Sequence, residues 1–193
     1  RNVAVLVFDN ASGEWLAWEG SGDYSDAEHG GKINGPITPR QPGSALKPLT
    51  YALAFEKGFT PASVLPDVPM HFPTAEPGVV YSPRNYDNTY AGDVTAADAV
   101  ARSINTVAVQ VAVRTGLARV VETARRLGLG DDFKPEASLA LGTAEVTLLD
   151  LASLYAVLAN GGRRAWPFVI ERVTDTDGRV LWRRAGEGAE RLT

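Results

Sequence analysis

Residues 40–58 read RQPGSALKPLTYALAFEKG. A Gly-Ser pair leads into an apolar helical pattern, and a lysine stands three residues after the serine. A helix that starts near Ser44 places Lys47 one turn further along the same face. Pro48 supports that start, because a proline is tolerated in a first turn and breaks a helix interior. Gly58 supplies a natural stop. The stretch predicts a serine at a helix N-terminus with an amine base within reach of its hydroxyl, which is the arrangement of an activated nucleophile.

Serine-x-x-lysine is weak evidence by itself. With nine serines and four lysines in 193 residues, chance supplies one roughly one time in five. The rest of the composition narrows the field. A net charge of −4, with 45% hydrophobic and 22% charged residues, is ordinary globular composition. It argues against a nucleic-acid partner. The chain has no cysteine, which removes thiolate nucleophiles and thiolate metal sites. His29 and His71 both lie in Gly/Pro-rich stretches and neither has a partner at metal-ligand spacing, so neither a His-based triad nor a metal site is expected. No cofactor is expected either. No apolar run reaches the roughly 18 residues that span a bilayer. The chain opens on Arg1 directly before a strand-like run, and reads as an excised piece of something longer.

Outward from the serine, the elements fall in order. Residues 3–8 (VAVLVF) and 15–18 (WLAW) flank a turn cluster and predict a hairpin. Residues 20–43 read as a loop, and so do residues 60–92, which carry six prolines from Pro61 to Pro83. Thr95 is a plausible N-cap for the next helix, with Asp98 as the acidic half of a capping box. Residues 106–114 are contested. Val107, Val109, Val111 and Val113 alternate strictly, which on period alone predicts a strand, while Ala108 and Ala112 permit a helix. Residues 117–127 form a clear amphipathic helix ended by Gly128. Residues 145–159 are apolar almost all round and predict a helix at the centre of a domain. FVIERVT, DTDG and RVLWRR predict a second hairpin turning at Asp177-Gly178.

A second chemical element changes the weight of the first. Ser103-Ile104-Asn105 supplies a second hydroxyl and a carboxamide. Serine-x-x-lysine followed by serine-x-asparagine is the pattern of serine β-lactamases and penicillin-binding proteins. The chemistry needs these groups. A serine hydroxyl is a poor nucleophile until a base takes its proton, and lysine is a base only when neutral. A second hydroxyl can relay the proton, and a carboxamide can fix the lysine and a substrate amide.

The blocks RQPGSALKPLTYALAFEKG, DVPMHF, YSPRNYDNTYAGDVTAADAVARSINTVAVQVA and SLALGTAEVTLLDLASLYAVLANGG resemble the transpeptidase domain of bifunctional (class A) penicillin-binding proteins, most nearly the 1C type. They follow the family's order across most of residues 3–183. The resemblance implies an α+β, β-lactamase/transpeptidase-like fold with a helical cluster on an antiparallel sheet and residues 106–114 helical. It implies Ser44 as the acylated serine, Lys47 as general base, Ser103 as proton relay and Asn105 as the contact for lysine and substrate. The implied partners are peptidoglycan stem peptides ending in D-Ala-D-Ala and β-lactam antibiotics. The implied location is periplasmic or extracytoplasmic, with membrane contact only through an anchor outside this chain.

One departure bears on activity. The family's lysine-threonine-glycine motif is absent, since none of Lys32, Lys47, Lys57 and Lys134 precedes Thr-Gly. By resemblance that strand supplies a cation for the substrate carboxylate and part of the oxyanion hole. Residues 1–193 are therefore expected to be a partial transpeptidase domain, with the final strands absent and no activity alone. Two alternatives stand beside the transpeptidase. A serine β-lactamase or D,D-carboxypeptidase would need water to deacylate, and no glutamate here has an asparagine four residues later, as class A β-lactamases do. A non-catalytic penicillin-binding sensor or scaffold would keep the fold without the chemistry.

Overall fold

The computed structural model describes residues 2–184 and 190–191. In chain order the elements are β1 (Val5–Phe8), β2 (Trp15–Glu19), α1 (Lys47–Glu56), β3 (Val64–Asp67), β4 (Phe72–Pro73), β5 (Val80–Tyr81), β6 (Gly92–Thr95), α2 (Ala96–Ala101), α3 (Asn105–Thr115), α4 (Leu117–Arg126), α5 (Leu148–Ala159), β7 (Arg163–Arg164), β8 (Arg172–Thr174), β9 (Val180–Arg183) and β10 (Glu190–Arg191). The mixture is α+β, and every strand pair is antiparallel. The chain divides into two compact units: a central unit, Arg40–Val146, and a flanking unit formed by residues 1–39 and 147–193. Among the described residues no helix is long and apolar enough to cross a membrane.

The central unit is organised around α3. Thr106 to Ala112 and Thr115 are all buried. Val107, Ala108 and Val111 pack with Tyr51 and Ala54 of α1, Leu65 of β3, Val94 of β6, and Ala96 and Ala99 at and within α2. Val109 and Ala112 meet Ala137 and Ala140 of a short 3₁₀ segment instead. This double burial corrects the strand predicted from alternating valines and agrees with the helix implied by resemblance. A helix buried over most of its surface, with Val113 and Arg114 exposed, needs no broad polar stripe, so its 3.6-residue signature is weak.

Residues 60–92 are also corrected. They are not one open loop: β3 pairs with β6 in register from Val64–Thr95 to Asp67–Gly92, and β4 pairs with β5. The prolines hid these strands, which are too short to show a period. The helix punctuation matches its signals. Thr95 accepts a bond from the Asp98 N–H, as an N-cap should. After α1, the Gly58 N–H bonds the Phe55 carbonyl and the Phe59 N–H bonds the Ala54 carbonyl. That pair is a Schellman cap, with Gly58 at φ 90°.

In the flanking unit, β1 and β2 form the first predicted hairpin. β8 and β9 form the second, turning through Gly178 at φ 82°. Helix α5 is shorter than expected, because Thr147 caps it and Leu148 begins it. It is also less buried than its composition predicted: only Ser153, Leu154, Ala156 and Val157 are buried, while Tyr155 and Leu158 are exposed. The central buried helix is α3, not α5.

Candidate active site

Ser44 lies in a 3₁₀ turn, Gly43–Leu46, that runs directly into α1 at Lys47. The helical start predicted near Ser44 is thus present as a tighter turn, with Ser44 exposed and Lys47 only 2% exposed. The turn is held from outside the helix. Arg40 and Val146 exchange two backbone hydrogen bonds of 2.9 Å, and the Gly43 N–H reaches the Gly142 carbonyl at 3.2 Å. Gly142 has φ 70°, and a Cβ there would lie 2.1 Å from the Gly43 carbonyl oxygen. Only glycine fits a left-handed backbone pressed against another backbone.

Ser103 arrives from the other direction. It follows α2, where the Ser103 N–H bonds the Val100 carbonyl and the Ile104 N–H bonds the Ala99 carbonyl. This is a second Schellman cap, but its left-handed position, usually glycine, holds Ser103 at φ 55°. A non-glycine residue there carries strain of order 1–3 kcal/mol. Buried Ile104 holds the backbone in place, and Asn105 starts α3 one residue later.

Lys47 closes the constellation. Its Nζ donates to the Ser103 carbonyl at 2.7 Å, to Ser103 Oγ at 3.0 Å and to Asn105 Oδ1 at 2.7 Å. An ammonium has three N–H bonds, and these are three acceptors. Burial nonetheless disfavours the charge and pulls the pKa from the ordinary 10.5 to about 8. Of the three partners only the Ser103 hydroxyl can also donate. When Lys47 loses a proton, that hydroxyl can turn toward the amine lone pair while the two carbonyl-type oxygens keep their bonds.

The family model described as the penicillin binding protein transpeptidase domain matches residues 3–188. The chain belongs to that family. Curated relatives include penicillin-binding protein 1A of Pseudomonas aeruginosa, 39% identical over 180 residues that cover 93% of this chain and 22% of the relative. Penicillin-binding protein 2D of Bacillus subtilis is 36% identical over 181 residues, covering 93% of this chain and 26% of the relative. The chain thus spans about a quarter of the length of the curated relatives it matches. Among solved structures, penicillin-binding protein 1A of Haemophilus influenzae superposes with a TM-score of 0.86 at 32% identity, covering 95% of this chain and 27% of that one. Penicillin-binding protein A of Mycobacterium tuberculosis, solved as an imipenem acyl-enzyme complex, shares the fold with a TM-score of 0.81 at 23% identity, over 94% of this chain and 51% of that one. The relatives named here carry 1A and 2D names, and the 1C type stays an expectation.

Of the candidate residues, Lys47, Ser103 and Asn105 come together through side-chain bonds. Ser44 is joined to Lys47 through the backbone, the Lys47 N–H donating to the Ser44 carbonyl. Two groups behind the site had no role in the sequence reading. Asn85 and Asp67 lie in the YSPRNYDN and DVPMHF blocks, and both reach the start of α3. The only local signal was an acidic residue closing an otherwise apolar VLPD run.

Proposed function

We propose that this chain carries the nucleophilic half of a serine D,D-transpeptidase site that cross-links peptidoglycan. Lys47, as neutral amine, takes the Ser44 proton while Ser44 Oγ bonds to the carbonyl carbon of a D-Ala-D-Ala terminus. The C–N bond breaks, and the departing D-Ala amine takes a proton from Lys47 by way of the Ser103 hydroxyl. An amine of a neighbouring stem then attacks the Ser44 ester, forming the new amide and returning a proton to Ser44. Asn105 anchors Lys47 and meets the substrate amide. A β-lactam opened by Ser44 keeps its leaving group tethered and remains as an acyl-enzyme.

The observation that carries this reading is the buried Lys47 with its acceptors on Ser103 and Asn105 and its pKa lowered to about 8. A surface lysine beside a helix cap has neither property. The remaining parts are proposed on the family pattern. A lysine-threonine-glycine strand beyond Thr193 completes the oxyanion hole, the site works outside the cytoplasm, and an anchor outside this chain tethers it. Losing one oxyanion donor costs about 10²- to 10³-fold in acyl transfer, so residues 1–193 alone should take up little penicillin.

The test is labelling of the full-length protein with a fluorescent penicillin. Ser44→Ala should abolish the label, and undiminished labelling would overturn the assignment. A mass spectrum of residues 1–193 after penicillin treatment separates the divided-site reading, because a stoichiometric Ser44 adduct would refute it.

A further inference from the structure

Helix α3 begins without a local cap. Ile104 precedes it, no side chain of its own N-cap residue accepts a bond, and its first turn carries no acidic residue. The free N–H groups of such an end need partners. They are met from a distance: Asn85 Oδ1 accepts from the Asn105 N–H at 2.9 Å and from the Thr106 N–H at 3.4 Å. Asn85 Nδ2 in turn donates to Asp67 Oδ1 at 2.8 Å and to the Thr89 carbonyl at 2.9 Å.

Asp67 is 1% exposed. Among the described residues no ion pair reaches it. Its oxygens accept from Asn85 Nδ2, from the Thr106 hydroxyl and from the Ala91 N–H at 2.8 Å. A buried carboxylate without a cation survives only when such donors replace its water. Here the N-terminal end of α3 adds a favourable dipole. The charge therefore has a structural account, but a costly one for a cap that a serine at position 104 could have supplied.

What this arrangement provides is control over where Asn105 sits. The Asn105 backbone hangs from Asn85, and its side chain is fixed at the Arg84 carbonyl by Nδ2 (2.9 Å) and at Lys47 by Oδ1 (2.7 Å). Segment 84–85 thus holds Asn105 at two points, and Asp67 orients the carboxamide of Asn85 by accepting from its nitrogen.

We infer that Asp67 and Asn85 are positioning residues of the acylation site, acting through Asn105 on Lys47. The inference rests on the function proposed above. Asp67→Asn leaves one acceptor oxygen where there were two, so either the Asn85 carboxamide or the Ala91 N–H loses its partner and the hold on segment 85–91 loosens. Asn85→Ala removes the hold on Asn105 outright. A displacement near 1 Å at a reacting group can cost about 100-fold.

The experiment measures the second-order rate of penicillin acylation per folded molecule, with the melting temperature, in the full-length protein. Asn85→Ala and Asp67→Asn should each slow acylation about 10- to 100-fold. Val120→Ala, a buried truncation in α4, should lower the melting temperature and leave the acylation rate unchanged. Asn85→Asp keeps the cap on α3 but sets two carboxylates face to face, and it should also be slow. Adding Asp67→Asn to it restores a donor opposite an acceptor and should recover at least part of the rate. Wild-type acylation by the folded single variants would overturn the inference, and so would a double variant that melts like wild type without regaining rate. Labelling that survives Ser44→Ala would instead sink the underlying function and leave the stability results standing.

Discussion

The central and flanking units use the same local devices and end with different interiors. Each has a threonine N-cap bonded to an aspartate three residues on: Thr95 with Asp98, and Thr147 with Asp150. Each has a glycine pressed against a neighbouring backbone, Gly142 against Gly43 and Gly13 against the Trp166 carbonyl. Yet the central unit buries α3 from Thr106 to Ala112, whereas the flanking unit exposes Val5, Leu16, Val169, Ile170, Leu181 and Trp182 and buries only four residues of α5. Position along the chain does not explain this. The central unit also exposes apolar residues, Val64, Val80 and Tyr86 among them, but the two-stranded ribbons beside a half-covered helix expose more. Lys47 lies in the central unit and owes its lowered pKa to burial, while Ser44 beside it is exposed.

The comparison breaks first at the paired glycines. Gly142→Ala would set a Cβ 2.1 Å from the Gly43 oxygen, and Gly13→Ala one 2.3 Å from the Trp166 oxygen. Both should destabilise by a few kcal/mol, on the order of 3. Only Gly142→Ala should also cost about 100-fold or more in penicillin acylation per folded molecule, because it displaces the turn that carries Ser44. Equal acylation losses in the two variants would erase the functional distinction between the units.

Core truncations come next. Leu65→Ala, at 1% exposure in the central unit, should cost about 2–5 kcal/mol in denaturant unfolding, and Leu181→Ala, at 57% exposure, within about 0.5 kcal/mol. Comparable losses would mean that the flanking ribbon is covered by something else.

Titration gives a third handle. Lys47 acts as base only when neutral, so acylation should rise about tenfold per pH unit up to about 8 and then level off. Leu154→Ala in the flanking unit should leave that midpoint in place. A rate that stays flat from pH 6 to 9 would remove Lys47 as the base. A modest effect is expected at the caps, where Thr95→Ala and Thr147→Ala should each cost about 1 kcal/mol. Equal costs there would locate the difference between the units in packing alone.

What the sequence revealed follows the range over which each signal acts. Hairpins with Gly turns, the cap at Thr95, the amphipathic α4 and the stop at Gly58 are set by neighbours within one or two turns, and all are present. Helix α3 was illegible locally because its burial is decided by residues from Tyr51 to Ala140. Helix α5 was misjudged for the converse reason, since an apolar composition states what could be buried and not what is. The pairing of Lys47 with Ser103 and Asn105 spans 56 and 58 residues and was reached by resemblance. The network through Asp67 and Asn85 joins three separate segments, and no spacing rule connects them.

The left-handed backbone of Ser103 has a consequence for how such a protein can change over time. Glycine fits that corner better and should raise stability by a few tenths to one kcal/mol. Ser103→Gly is thus a mutation that the fold would welcome and that would delete the hydroxyl bonded to Lys47. Selection for stability and selection for chemistry pull in opposite directions at this one residue. A lineage drifting free of the reaction should lose its serine here early, with a firmer fold as the trace of the lost function.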